Sequence, residues 1–143
     1  MRCAGYLMKG LLLVGLLAHQ ALAINVIEVD SDNFKPLTDG SKNVLLKFYT
    51  PGCHMCDVID PEFEYAASKY DESDDMLFGR VNGYRERDIV EELGVAGYPV
   101  FKWWKKGATE AEPFYYVHYS GRHGHTLMRM VNDRLGRDHH EEL

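Results

Sequence analysis

Residues 43–56 read NVLLKFYTPGCHMC, a near-continuous apolar run followed by two cysteines with two residues between them. A strand that is apolar at successive positions is typically buried on both faces, because other elements pack against each side of its sheet. We therefore expect a central strand over 43–50, with Cys53 just beyond its carboxyl end. In open α/β sheets ligands bind at that end of the strands, so the cysteine pair is the first candidate site.

The rest of the chain alternates strand and helix patterns around this segment. Strand patterns cover 24–29, 76–82, 100–105 and 114–119, and helical patterns cover 31–38, 53–70, 84–93 and 127–135. The order βαβαβαββα predicts an α/β domain with a mixed, mostly parallel sheet, helices on both faces and an antiparallel hairpin between the last two strands. Pro61 falls inside the second helix, where we expect a kink rather than two separate helices.

The first 23 residues have the form of a secretory signal peptide. Arg2 and Lys9 precede the apolar run 11–18, and residues 21–23, Ala-Leu-Ala, have the small-x-small pattern that signal peptidase accepts. A membrane anchor is the alternative, but the uncharged stretch 10–18 is about half of the ~20 apolar residues that a spanning helix needs. We therefore expect a cleaved signal over 1–23, a domain over 24–136 and no membrane span after cleavage.

The last residues resemble an address for the endoplasmic reticulum. The final four, His140 to Leu143, read HEEL and differ from the retention signal H-D-E-L by Glu in place of Asp. An acidic tail that happens to end in leucine is the alternative. Together with the signal peptide, the tail 137–143 predicts residence in the lumen of the endoplasmic reticulum.

Length and charge limit the possible functions further. The 143 residues suffice for one ordinary domain, and the net charge is −6, with 16 Lys and Arg against 22 Asp and Glu. Loss of the signal peptide would make the chain two charges more negative. This balance argues against nucleic acid as a partner, because binding phosphates requires a basic face.

The cysteine pair predicts redox chemistry. Cys3 would leave with the signal peptide, so the mature chain keeps only Cys53 and Cys56 in one C-x-x-C. At the start of a helix, free backbone N–H groups and the helix dipole favour the thiolate, which is the reacting form. Cys53 would attack a disulfide, and Cys56, one turn further and less exposed, would resolve the mixed disulfide. The expected partners are cysteine-containing client proteins or peptides and either glutathione or a redox partner.

Two other interpretations of the pair are half of a zinc site and an inert structural bridge. Zinc needs about four ligands, and no second C-x-x-C or histidine pair with ligand spacing accompanies the first. We therefore expect no metal, and exchange chemistry at this dithiol requires no cofactor.

Three segments resemble the thioredoxin domains of the protein disulfide isomerase family. Residues 48–56, FYTPGCHMC, with PEFE at 61–64, resemble its active-site segment. Residues 94–99, GVAGYP, resemble the loop that holds its cis-proline, and residues 119–122, YSGR, resemble its downstream arginine segment. The resemblance covers essentially the whole mature chain in order. It implies a thioredoxin fold and a small, single-domain disulfide isomerase.

The resemblance also implies roles for three residues outside the dithiol. Pro99 would be cis and face the dithiol, and the backbone of Tyr98 would pair with a bound peptide as an added strand does. From the residues alone, an ordinary trans proline before a strand is the alternative. Arg122 matches the arginine that can approach the resolving cysteine and lower its pKa, the alternative being a loop arginine that faces solvent.

The active-site motif departs from the family pattern W-C-G-H-C at three positions. Gly52 removes the tryptophan beside the nucleophile, which predicts weaker substrate contact. Met55 cannot donate the charge-assisted hydrogen bond of the family's histidine, and it would supply either adaptable apolar surface or simple filling. His54 would keep Cys53 acidic and oxidising if it reached the sulfur, and would leave the couple more reducing if it pointed to solvent.

Lys47 stands where the family places a buried glutamate that relays the proton of the resolving cysteine. Burial would either remove the proton of Lys47 and make it a base, or keep a cation that depresses the pKa of Cys56. We expect a third arrangement, in which the stem packs inside and the ammonium reaches solvent. Each of the three lacks the family's carboxylate, so slow resolution of mixed disulfides is predicted.

Two functions fit these observations. The first is a thiol-disulfide oxidoreductase or isomerase that acts on cysteines of secretory-pathway proteins. The alternative is a redox-weak chaperone or adaptor of the same fold that binds peptides without efficient catalysis. Fold alone does not distinguish them, because function resides in the site.

Overall fold

The computed structural model describes residues 25–116 and 125–137, and their element order is the predicted βαβαβαββα. The strands are β1 (Val26–Val29), β2 (Asn43–Tyr49), β3 (Met76–Asn82), β4 (Val100–Trp104) and β5 (Glu112–Pro113). The helices are α1 (Phe34–Leu37), α2 (His54–Ala67), α3 (Arg87–Glu92) and α4 (His125–Leu135), with a 3-10 turn at Glu72–Asp74. None of the helices in the described ranges has the length and apolarity to span a bilayer.

The five strands form one mixed sheet in the order β1-β3-β2-β4-β5. β2 is central and is buried from Val44 to Phe48, as its apolar run predicted. β3 runs parallel to both β1 and β2, and the last two strands form the predicted antiparallel hairpin.

β4 is antiparallel to β2, which makes the sheet less parallel than expected. The place where the chain re-enters the sheet accounts for this direction. Val100, the first residue of β4, pairs with Phe48 near the carboxyl end of β2, so β4 runs back along β2 from that edge.

The two faces of the sheet carry separate apolar clusters, because side chains alternate along each strand. Leu45 of β2 faces α2 and α4, where it packs with Phe63, Phe101 and Leu127. Leu46 faces the opposite side, where the cluster includes Phe34 of α1 and Ile89 of α3. Trp103 and Trp104 take opposite faces as predicted, and each is only 1% exposed.

The final strand is shorter and earlier than predicted. β5 covers only Glu112–Pro113, and Phe114 to Tyr116 are outside regular structure. Phe114 is buried and stacks on Trp103 with ring centroids 6.1 Å apart, so its apolar character reflects packing into the core rather than a strand. The remainder of the predicted strand lies outside the described residues.

Two helices begin later than their patterns predicted, because side chains bond the backbone ahead of them. The Asp30 carboxylate accepts hydrogen bonds from the backbone N–H groups of Asp32 and Asn33, which keeps these residues in a turn before α1. The Asn82 side chain does the same before α3. Such local bonds compete with helix formation. In contrast, α2 runs through Pro61 as one helix, as predicted.

Candidate active site

The two cysteines of the C-x-x-C form a disulfide at the start of α2, with their Cα atoms 5.2 Å apart. Cys53 is the N-cap residue of α2, and its sulfur accepts a hydrogen bond of 3.2 Å from the backbone N–H of Cys56. Cys53 is half-buried, whereas Cys56 is 1% exposed. A sulfur nucleophile outside the protein can therefore approach Cys53 but not Cys56.

A turn before the helix presents Cys53. The backbone N–H of Cys53 donates to the carbonyl of Thr50 over 3.2 Å, and Gly52 has a φ of +79°. Proline followed by glycine with positive φ is typical of a type II turn. A Cβ atom at Gly52 would meet nothing within 4 Å, so the region that the family fills with tryptophan is open here.

The two residues between the cysteines both face outward. His54 and Met55 are exposed, and Met55 keeps 44% of its surface accessible. Met55 therefore presents apolar surface beside the disulfide and does not fill the interior, which excludes the simple filling role considered from the sequence.

The loop before β4 lies at the same edge of the sheet. The peptide bond between Tyr98 and Pro99 is cis, which confirms that expectation. Val100 pairs with Phe48 in the register of β4 and β2, so Pro99 lies beside the carboxyl end of β2, from which the chain runs to Cys53.

The loop after β3 also lies at this edge of the sheet, and its place beside the site was not predicted from the sequence. The backbone N–H of Gly83, directly after β3, donates to the carbonyl of Tyr49 over 2.8 Å. A Cβ atom at Gly83 would collide with the ring and hydroxyl of Tyr98. The dipeptide Asn82-Gly83 was the available signal, because this pair marks a tight turn.

Lys47 differs from expectation, since its ammonium does not reach solvent. Its side chain is 0% exposed and forms an ion pair with Asp60 of α2, whose side chain is 31% exposed. The Nζ atom also lies 5.6 Å from the ring centroid of Phe63 and 5.7 Å from that of Tyr49. The expectation was wrong because α2 covers this face of the central strand and supplies a carboxylate within reach of the buried lysine.

Burial and charge set the protonation of this lysine. Burial lowers the pKa of Lys47 to about 8, and the cation of Arg80, opposite in the register with β3, lowers it as well. The carboxylates of Glu64, Asp57 and Glu28 act in the other direction. Arg80 is itself paired with Glu28, and it lies 3.6 Å from Glu64.

Two carboxylates of this region were not predicted from the sequence, the partly exposed Asp60 and the buried Glu62. Asp60 could have been found from its place four residues after Cys56, on the face of α2 that must cover a strand containing a lysine. Glu62 is 4% exposed and accepts a hydrogen bond from the Tyr116 hydroxyl. Burial and this carboxylate raise the pKa of Tyr116. The hydrogen bond joins the segment after β5 to α2.

The remaining predictions fall outside the residues that the structure describes. Arg122, the signal peptide 1–23 and the HEEL tail all belong to this group. Among the described residues, no group of three or more His, Cys, Asp or Glu side chains could hold a metal ion.

Comparison with known proteins assigns the family. A family model described as Thioredoxin matches residues 25–131. Together with the sheet and the cysteine pair at the start of α2, this match shows that the chain belongs to the thioredoxin family. The protein disulfide isomerase resemblance is confirmed by relatives that carry this name.

A protein disulfide-isomerase of Oryctolagus cuniculus is 34% identical over 113 residues, which are 78% of this chain and 22% of that protein. Protein disulfide isomerase-like 2-2 of Oryza sativa subsp. japonica is 29% identical over 78% of this chain and 29% of its own length. The first thioredoxin domain of mouse Protein disulfide-isomerase A4 has a TM-score of 0.62 and 25% identity, covering 78% of this chain and 76% of that domain. The chain thus spans less than a third of these two curated relatives.

Proposed function

We propose that this protein is a thiol-disulfide oxidoreductase that exchanges disulfides with cysteine-containing proteins of the secretory pathway. The observation that carries the proposal is the unequal exposure of the two sulfurs at the start of α2. Cys53 is accessible and caps the helix, whereas Cys56 is buried one turn further along. This arrangement supports attack by Cys53 and resolution by Cys56.

The start of α2 favours the reactive form of Cys53. In the reduced protein, the backbone N–H of Cys56 that now bonds the Cys53 sulfur would stabilise a thiolate at the same place. The Cys53 thiolate attacks a client disulfide, forms a mixed disulfide and releases one client thiolate. The Cys56 thiolate then attacks the Cys53 sulfur and releases the second client thiolate. The client is reduced, the Cys53–Cys56 disulfide forms, and the reverse sequence oxidises a client.

The loops beside the dithiol provide a place for the client chain. The backbone of Tyr98, directly before Pro99, would pair with an extended client segment, as in β-strand addition. Exposed Met55 would contact apolar side chains of the client and adapt to different shapes. The open region at Gly52 lacks an aromatic platform, so client affinity is expected to depend on these other contacts.

The motifs near the two ends of the chain support a location, and the chemistry of the dithiol indicates what must supply its redox state. The signal-like residues 1–23 and the HEEL tail support residence in the lumen of the endoplasmic reticulum. Glutathione or a protein partner there would return the dithiol to its working state, and the exchange itself uses no cofactor.

A trapping experiment tests the proposal. The full chain carrying Cys56→Ser, expressed in secretory cells, should accumulate mixed disulfides with client proteins, because the resolving thiol is absent. The matched control, Cys53→Ser with Cys56→Ser, should accumulate none. Absence of mixed disulfides in Cys56→Ser, together with equal non-covalent recovery of client proteins by both variants, would favour the peptide-binding chaperone or adaptor over the enzyme.

The redox potential gives the direction of exchange. The processed protein is equilibrated with graded glutathione buffers, its free thiols are alkylated, and the oxidised fraction is determined by mass. A value near about −180 mV supports an oxidant or isomerase, and a value near about −270 mV supports a reductant. A pair that does not equilibrate with glutathione would contradict the proposed enzyme.

A further inference from the structure

Lys47 is a fully buried lysine on the face of the sheet that α2 covers, and its position suggests a role in the resolving step. From the contacts of its ammonium we infer that Lys47, held in place by its ion pair with Asp60, places a positive charge beside Cys56 and favours the Cys56 thiolate. Lys47 and Asp60 are positioning residues here, because they act through Cys56. The inference deepens the proposed function and rests on it.

The geometry of α2 brings the ion pair close to the resolving cysteine. Cys56 and Asp60 are four residues apart in one helix, and side chains at this spacing are neighbours on the same face, with Cβ atoms about 5–6 Å apart. Phe63, two turns after Cys56, lies on this face as well. The Lys47 Nζ atom contacts both Asp60 and Phe63, so the cation lies against the face of α2 that carries Cys56.

The surrounding charges keep this lysine protonated near neutral pH. Asp60 pairs with it directly, and Asp57 and Glu64 of the same helix add negative charge. Arg80 of β3 opposes protonation, but Arg80 is itself paired with Glu28 of β1. The Asp60 side chain is partly exposed to solvent. Its negative charge therefore costs less desolvation free energy than the charge of a fully buried carboxylate would.

β4, which pairs with β2 on the side away from β3, places an apolar residue directly opposite Lys47. The residue of β4 opposite Lys47 in the register is Phe101, which is apolar and 5% exposed. The charges that act on Lys47 include those of Asp57, Asp60 and Glu64 on α2, Arg80 on β3 and Glu28 on β1. Because these groups leave the ammonium charged at neutral pH, Lys47 acts as a cation near Cys56 and not as a base.

The cation acts at the step that completes the exchange. Cys56 first releases its thiol proton to water, and the resulting thiolate attacks the Cys53 sulfur of the mixed disulfide. The Cys53–Cys56 bond forms, the bond from Cys53 to the client sulfur breaks, and the client leaves as a thiolate with the electron pair. A nearby positive charge stabilises the Cys56 thiolate and increases its population before the attack.

The acidity of Cys56 tests the inference without relying on catalysis. In the full chain with Cys3→Ser and Cys53→Ser, the Cys56 thiol is titrated through the ultraviolet absorbance of its thiolate. Lys47→Met should raise the pKa of Cys56, and Asp60→Asn should raise it as well, because the unpaired buried lysine would lose its proton. The two changes together should have no larger effect than Lys47→Met alone. Lys47→Gln is a second neutral variant if the methionine variant does not fold.

The control is Lys102→Met, which removes a lysine of β4. Lys102 pairs with Leu46 in the register and therefore lies on the opposite face of the sheet. The control should leave the Cys56 titration unchanged. Unchanged titration in folded Lys47→Met or Lys47→Gln would overturn the inference. A lower pKa of Cys56 in Asp60→Asn would overturn the role of Asp60 in holding the cation.

A kinetic measurement connects the titration to exchange. Resolution of a preformed Cys53–glutathione mixed disulfide at neutral pH should slow about threefold in Lys47→Met, since a thiolate population about tenfold smaller is partly offset by higher nucleophilicity. Normal acidity of Cys56 in Lys47→Met would disprove the role of the pair even if exchange proceeds. Absence of exchange in the unmodified protein would instead disprove the proposed function.

Discussion

Gly83 lies against Tyr98 so closely that a Cβ atom at position 83 would overlap the tyrosine ring. The two residues come from different loops, one after β3 and one before β4, and both loops reach the edge of the sheet where Cys53 lies. The contact therefore couples the position of the Tyr98–Pro99 segment to the end of β3. It also explains why glycine occupies position 83.

Gly83→Ala should displace the Tyr98 ring and lower the free energy of unfolding by about 1–3 kcal/mol, the usual cost of overpacking. Urea unfolding measures this cost. In a Tyr98→Ala background the same change should be close to neutral, because the ring that collides with the new methyl group is gone. An equal cost in both backgrounds would contradict the proposed contact.

Glycine should be required at position 52 because of its backbone conformation, and not because a larger side chain would lack space. Its φ of +79° is unfavourable for other residues, although a Cβ atom there would meet nothing within 4 Å. Gly52→Ala should lower the free energy of unfolding by about 1 kcal/mol. Gly97 is the matched control, because its surroundings are equally open and its φ lies outside the left-handed region. If Gly97→Ala costs as much in urea unfolding, positive φ is not the cause.

The Tyr70 hydroxyl joins the end of α2 to α4. It donates a hydrogen bond of 2.7 Å to the Asn132 side chain, and burial raises the pKa of Tyr70 to about 12. Tyr70→Phe should lower the free energy of unfolding by about 1 kcal/mol at neutral pH. The unfolded tyrosine ionises near pH 10, so the wild-type protein should lose stability between about pH 10 and 12, and Tyr70→Phe should lose less. Tyr115→Phe, at an 80% exposed position, is the control.

The sequence predicted the fold well because its strongest signals come from burial. The apolar run in β2 and the alternating faces of Trp103 and Trp104 are set by the sheet itself. The direction of β4 was less accessible, because an apolar pattern does not show at which edge of the sheet the chain re-enters. The late start of α3 was also not predictable, because the Asn82 side chain bonds the turn before this helix. A periodic apolar pattern does not register such local competition.

The candidate site also has features that could be predicted from the sequence and one that could not. The dithiol at the start of α2 and cis Pro99 could be predicted from short motifs, because a motif carries its own local geometry. Lys47 could not, because its state depends on Asp60, thirteen residues away in sequence and on another element. A pattern of apolar residues indicates that position 47 is buried, but the partner that makes burial of a charge tolerable is a property of the packed structure.

The buried lysine should also make stability depend on pH. The pKa of Lys47 falls from 10.5 to about 8 on folding, mainly because of burial, so between these values the unfolded chain binds more protons than the folded one. Stability contributed by this group therefore rises as pH increases from about 8 to 10.5. In Lys47→Met this rise is lost, so the wild-type protein should gain stability relative to the variant over that range. Urea unfolding at several pH values measures the difference, in which the tyrosine contributions cancel. A constant difference from pH 8 to 10.5 would show that Lys47 does not titrate differently in the two states.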